Sequence, residues 1–184
     1  MSDNLLPTGV QFGRRSVLIG LCATVTSGCM RSSPDKHDEY HWRAHFQDLR
    51  PAAILVDISA RRLAFWNADD SLYLEYPIGV PSSPELTRTG RTTVVRKRAN
   101  PSWRPTPSML ARNPDLPRFV GPGPDNPLGQ YALYLGWQYY AIHGTNDPAT
   151  IGRPSTSGCI RLFAGHIERL FRQTPIGAQV RVIN

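Results

Sequence analysis

From Ala52 onward the chain is a succession of short apolar or Thr/Val-rich runs, each closed by turn residues, and this punctuation predicts strands. Residues 53–58 form a continuous apolar run interrupted by Asp57, and 62–67 follow as a second run. Turn material at 67–70 separates it from a third at 72–80. Residues 88–97, RTGRTTVVRK, read as another strand, rich in Thr and Val. Residues 131–135 and 139–143 read as a strand pair joined through Gly136, Trp137 and Gln138, and 180–183 as a closing strand. Helical spacing occurs at 164–173, through Ile167, Leu170 and Phe171. Residues 100–126 carry many prolines and Trp103, which predicts a long loop, and such loops in compact domains are usually functional. There is no internal repeat and no alternation of strands with long helices. The expectation is a mainly β, sandwich-like fold with a short helix.

The N-terminal part has a different character. Residues 1–29 read as an export signal: Arg14-Arg15 supplies the positive region, and 16–26 is apolar but far shorter than the ~20 residues of a membrane-spanning helix. The twin arginine followed by Ser-Val-Leu resembles a Tat signal. Ser27-Gly28-Cys29 resembles the end of a lipoprotein box, with Thr26 where leucine is usual, so a lipid anchor at Cys29 stands beside ordinary cleavage or a retained anchor. Residues 30–50 read as a polar linker or short helix. His37, His41 and His45 share a four-residue spacing there, but no cysteine or carboxylate pattern completes a metal site. The folded domain is expected at 51–184.

The net charge of +7 comes from 21 Lys+Arg against 14 Asp+Glu. The arginines are scattered and no nucleic-acid motif surrounds them, so a basic surface suits an anionic cell envelope better than nucleic acid. Of three cysteines, Cys22 and Cys29 fall in the N-terminal segment. Its removal would leave Cys159 alone, which excludes a disulfide framework and points to a reactive thiol.

Residues 142–162, IHGTNDPATIGRPSTSGCIRL, hold the chemistry. A thiol needs a base to become the nucleophilic thiolate near neutral pH, and His143 can act on Cys159 in that way. Gly158 lets backbone approach the cysteine, and the N–H groups of Gly158 and Cys159 are natural donors to an oxyanion. Arg161 is two residues beyond the cysteine, on the same face if the segment is extended, and can hold a carboxylate through its planar fork. An internal ion pair is the competing role for Arg161. Thr145 and Asn146 are expected to hold their loop by local hydrogen bonds. Trp103, Arg104 and Tyr134 are further site candidates, and Trp103 can line a cleft or equally pin the proline-rich loop to the core. Nothing calls for a cofactor: Gly121-Pro122-Gly123-Pro124 lacks the lysine and hydroxyl of a nucleotide loop. A Cys/His metal site would have only two ligands in this motif.

These residues resemble the catalytic domain of the L,D-transpeptidases, the YkuD-type family of bacterial cell-wall enzymes. The likeness rests on His143-Gly144-Thr145-Asn146 followed by Ser157-Gly158-Cys159-Ile160-Arg161-Leu162, with support from NPSWRPTPSMLARNPDLP and GPDNPLGQYALYL. Many members carry a second histidine where this chain has Ser157. The resemblance implies a β-sandwich of the family's type, Cys159 as nucleophile, His143 as base oriented by the carbonyl of Gly144, and a substrate contacted by Arg161, Ser157 and Trp103. It implies attack on the bond between meso-diaminopimelate and D-alanine in a peptidoglycan stem tetrapeptide. The acceptor would be another stem peptide, a lysine of an envelope protein, or water, as in an L,D-carboxypeptidase. A non-catalytic wall-binding lipoprotein is the alternative from another class, and the intact Cys159 and His143 argue against it.

Overall fold

The computed structural model describes residues 41–184. The export-signal features, His37 and both N-terminal cysteines lie outside the described residues. Strands β1 (Ala52–Asp57), β2 (Arg62–Asn67) and β3 (Tyr73–Pro77) form the antiparallel meander that the turn signals predict. Asp57 ends β1 because its carboxylate accepts from Ser59 Oγ at 2.9 Å and Ala60 N at 2.8 Å, which folds the chain into the turn.

The remaining elements are β4 (Val80–Pro81), β5 (Gly90–Ala99), helix α1 (Pro107–Arg112), β6 (Tyr131–Leu135), β7 (Ala141–His143), β8 (Pro154–Thr156), β9 (Ile160–Arg161), helix α2 (Ala164–Gln173) and β10 (Gln179–Ile183). Eight strands make one sheet in the order β3-β2-β1-β10-β5-β6-β7-β9, and β4 pairs separately with β8. The last strand, β10, lies parallel to β1 near the middle of the sheet, so the sheet is continuous only when the C-terminal segment is in place.

Strand β5 turns this sheet into a curled, two-faced structure. Gly90–Thr93 pairs with β10, whereas Val94–Ala99 pairs with β6, and the register shifts between Val94 and Arg96. A strand that changes partners at a bulge bends the sheet at that point. The core fills the inside of the curl. Ile54, Val56, Leu63 and Phe65 from one half meet Leu133, Ile142 and Ile160 from the other, with Ile167 and Leu170 of α2. Phe65 has no exposed surface, and Phe65→Ala would cost about 3–5 kcal/mol through lost burial and a cavity.

Two features depart from the sequence reading. The last part of the stretch read as a linker packs on the sheet: Phe46 and Leu49 are buried against Ala53, Leu55, Ala64 and Trp66, on the face of β1 and β2 opposite the main core. The apolar run of β1 is therefore covered on both sides. The proline-rich loop also contains α1, which begins at Pro107 with Thr106 as its cap, accepting from Met109 N at 3.2 Å.

Candidate active site

His143 ends β7 and Arg161 ends β9, and the two are in register across a parallel pair. The pairing sets the spacing of the site. Ile142 and Ile160 fill the core beneath, and Leu162 N donates to His143 O at 2.9 Å just beyond the ladder. Cys159 sits immediately before β9, in the turn that leaves β8. His143, Cys159 and Arg161 all line one cleft of about 480 Å³, together with Trp103, Ser157 and Tyr139.

The histidine is fixed by its own neighbour. His143 Nδ1 lies 2.6 Å from the carbonyl oxygen of Gly144, so Nδ1 carries the proton and Nε2 is left as the acceptor. Gly144 has little room: a Cβ there would meet Leu128 O at 3.2 Å and Ile167 Cγ2 at 3.3 Å. Although it lies at a strand end, His143 is buried and only 3 % exposed. Burial pushes its pKa down to about 4, against the raising effect of the Gly144 carbonyl, and the Arg161 charge pushes the same way as burial.

The thiol is also shifted by its surroundings. Burial raises the Cys159 pKa, while the backbone N–H of Ala141 and the Arg161 charge act against that rise. Near neutral pH the imidazole and the thiol that line this cleft are therefore both neutral. Cys159 Sγ donates weakly to the carbonyl of Tyr139 at 3.5 Å, and Tyr139 itself has a positive φ of 66°.

The turn itself is built by two residues. Gly158 has φ 129°, a conformation that favours glycine, and a Cβ there would come within 3.2 Å of Tyr140 Cε1, so the ring would have to give by a few tenths of an ångström. Thr156, buried and not singled out by the sequence, donates its hydroxyl to Cys159 O at 2.6 Å and accepts from Gly158 N at 3.2 Å. The Gly158 N–H, an expected oxyanion donor, is thus engaged in the resting structure. Ser157, next in the turn, is exposed and accepts from Arg112 Nη2 of α1 at 3.0 Å. This tether from the helix hidden in the loop carries no motif.

Arg161 has its Nε buried without a hydrogen-bond partner. Its pKa is lowered by burial and raised in turn by Cys159 and Asp147. Trp103 lines the cleft and bridges Val120 through paired backbone bonds of 2.8 and 2.9 Å. The loop is further stapled by Asn126, fully buried, whose Nδ2 donates to Pro101 O at 2.8 Å and Gly121 O at 2.9 Å. Thr145 holds its loop by local bonds with Asp147, whereas Asn146 Nδ2 donates to the Asp125 carbonyl in the proline-rich segment, a bond that is not local. Arg104 and Tyr134 line the same cleft.

Comparison with known proteins identifies the family. Residues 51–182 match the family model of the L,D-transpeptidase catalytic domain. A protein of Fuscovulum blasticum encoded in the ATP synthase subunits region is 46% identical over 154 residues, covering 84% of this chain and 81% of its own length. ErfK/SrfK of Escherichia coli K12 is 41% identical over 136 residues, covering 71% of this chain and 44% of its own length. Both carry the L,D-transpeptidase name provisionally. The chain thus spans less than half of that second relative. Among solved structures, L,D-transpeptidase 3 of Mycobacterium tuberculosis has a TM-score of 0.55 at 16% identity, over 73% of this chain and 61% of that one. An L,D-transpeptidase of Mycobacterium smegmatis has a TM-score of 0.53 at 18% identity, over 73% and 59%. These two share the fold. On the match of the family model across most of its length, the chain belongs to the L,D-transpeptidase catalytic domain family.

Proposed function

We propose that this chain is a peptidoglycan L,D-transpeptidase in which Cys159 forms a thioester with a stem tetrapeptide and passes the acyl group to an amine. The observation that carries the reading is the His143–Gly144 hydrogen bond, which leaves Nε2 as a base in the cleft that holds Cys159. His143 Nε2 takes the thiol proton as sulfur attacks the diaminopimelate carbonyl carbon, and the backbone N–H of Cys159, the turn donor that Thr156 does not hold, receives the oxyanion. The intermediate collapses, the C–N bond to D-alanine breaks, and His143 returns the proton to the leaving amine. An acceptor amine then attacks the thioester, its proton moves to His143, and the thiolate leaves and is reprotonated. With water as acceptor the same steps give an L,D-carboxypeptidase. A neutral resting pair suits this sequence, since the base is unprotonated before substrate arrives.

Ser157, Arg161 and Trp103 form the wall against which the peptide lies in this reading. The acceptor is a second stem peptide, giving a 3-3 cross-link, or an amine on an envelope protein. Delivery to the envelope would follow the N-terminal signal, through the twin arginine, with Cys29 as lipid attachment point. Among the described residues no helix is long and apolar enough to cross a membrane. Incubation of the purified chain with stem tetrapeptide and a second stem peptide tests the reaction. Stoichiometric D-alanine release with a cross-linked product is expected, and release without any cross-link assigns water as acceptor.

A further inference from the structure

Arginine sets the charge of the cleft. Arg96, Arg104 and Arg161 line it, and among the described residues that line it none is Asp or Glu. Arg161 stands next to His143, but the other two belong to different walls. Arg96 on β5 faces Tyr134 on β6 across the ladder, with its guanidinium carbon 3.8 Å from the ring centroid. Arg104 lies in the proline-rich segment, 4.7 Å over the ring of Phe119. Stacking on an aromatic engages the flat face of a guanidinium and leaves its edge donors free for a carboxylate. The ion pairs seen among the described residues, Arg62–Glu75 and Arg172–Glu168, involve neither.

Exposed arginines commonly rest on aromatic rings without further purpose. Here two of them are held that way in the cleft that contains Cys159, with no lining acid to neutralise them. Like charges gathered in one cleft repel one another and raise the local concentration of anions. A carboxylate next to the scissile bond would lie near Arg161, since β9 places that residue beside the reacting pair. Arg96 and Arg104 stand on other elements and need a different anion.

We propose that Arg96 and Arg104 form a second carboxylate-reading subsite, which binds a free carboxylate of the donor stem peptide remote from the scissile bond. The subsite rests on the proposed function and deepens it: the enzyme selects donor peptides whose remote carboxylate is not amidated. Amidation conserves the size of the group and removes its charge, so a charge-assisted fork discriminates where shape does not.

The test uses the purified full chain and two donor peptides that differ only in whether the remote carboxylate is free or amidated. The wild type is expected to acylate faster on the free form by roughly 10- to 100-fold in kcat/KM, the range for losing a hydrogen bond to a charged group. Arg96→Gln with Arg104→Gln should abolish that preference by slowing only the free form. Discrimination at the carboxylate beside the scissile bond should be unchanged. Arg96→Lys should not restore the preference, because an ammonium lacks the fork. Equal wild-type rates on the two peptides overturn the subsite, as does a double variant that keeps the preference. Absence of acylation on every peptide overturns the proposed function instead, so the two failures are distinguishable.

Discussion

Thr156 donates its hydroxyl to the carbonyl of Cys159 at 2.6 Å and accepts the N–H of Gly158 at 3.2 Å, so one buried side chain ties both sides of the cysteine turn. Thr156→Val keeps the shape and removes both bonds. It should destabilise the fold by about 1–3 kcal/mol, because buried polar groups lose their partners. Acylation should fall more than thermal stability does, since the turn sets the sulfur's position. Thr156→Ser should restore most of both. Melting curves and acylation rates of the two variants check this, and an active Thr156→Val would show that the turn holds itself.

His143 is expected to act as an unprotonated base, because burial drives its pKa down to about 4. The acid limb of kcat/KM should therefore fall near pH 4, well below an ordinary histidine at 6.5. His143→Ala should lower the rate by roughly 10²–10⁴, with smaller losses at alkaline pH where the thiol ionises unaided. A wild-type acid limb near 6.5 would contradict the buried, neutral assignment. A loss independent of pH would make His143 a positioning group.

The same burial predicts a stability slope. The folded-state pKa of His143 lies below the unfolded value of 6.5, so the unfolded chain binds the extra proton between about pH 6.5 and 4. Its contribution is complete above 6.5 and is lost as pH falls through that window. His143→Gln should flatten the denaturant-derived stability profile there, and an unchanged profile would mean that the imidazole is solvated.

Gly158→Ala tests the turn from the backbone side. Its φ of 129° and the 3.2 Å approach to Tyr140 mean that a methyl group meets both strain and a ring. The backbone conformation alone should cost about 1–2 kcal/mol, and displacement of Cys159 should reduce acylation. Circular dichroism melts and a thiol-labelling rate at Cys159 would separate the two effects.

Arg161→Gln separates substrate reading from support of the fold. Neither ion pair found among the described residues includes Arg161, and its Nε has no hydrogen-bond partner, so little stability should depend on an ion pair of this side chain. Its loss should erase the preference for a free over an amidated carboxylate beside the scissile bond, with a small change in melting temperature. An unchanged preference with a large fall in melting temperature would assign Arg161 to the fold.

Local pattern made much of the fold legible. β2 at Arg62–Asn67 and α2 at Ala164–Gln173 occupy the stretches that turn punctuation and helical spacing marked. The proposed reacting pair was legible because His143 and Cys159 belong to one short segment. What escaped depends on distant contacts. Residues 46–49 were indistinguishable from linker until β1 and β2 offered them a face. Helix α1 has a readable Thr106-Pro107 start, but its surroundings are dense with proline and it buries no residue. Thr156 looked like one hydroxyl among several, and only the closed turn shows why it differs from Ser157. Arg161 was marked by its place after Cys159 and Arg104 only as a candidate in the loop, whereas Arg96 carried no signal, because β5, the proline-rich loop and β9 converge only in the folded sheet.

The central claim is that Cys159 carries the acyl group, and intact-protein mass spectrometry of the chain incubated with stem tetrapeptide tests it most directly. The account predicts an adduct equal to the tetrapeptide minus D-alanine, cleaved by hydroxylamine as a thioester, mapped to the peptide containing Cys159, and absent from Cys159→Ala. An adduct mapped to another residue, or D-alanine release by Cys159→Ala at the wild-type rate, would contradict it.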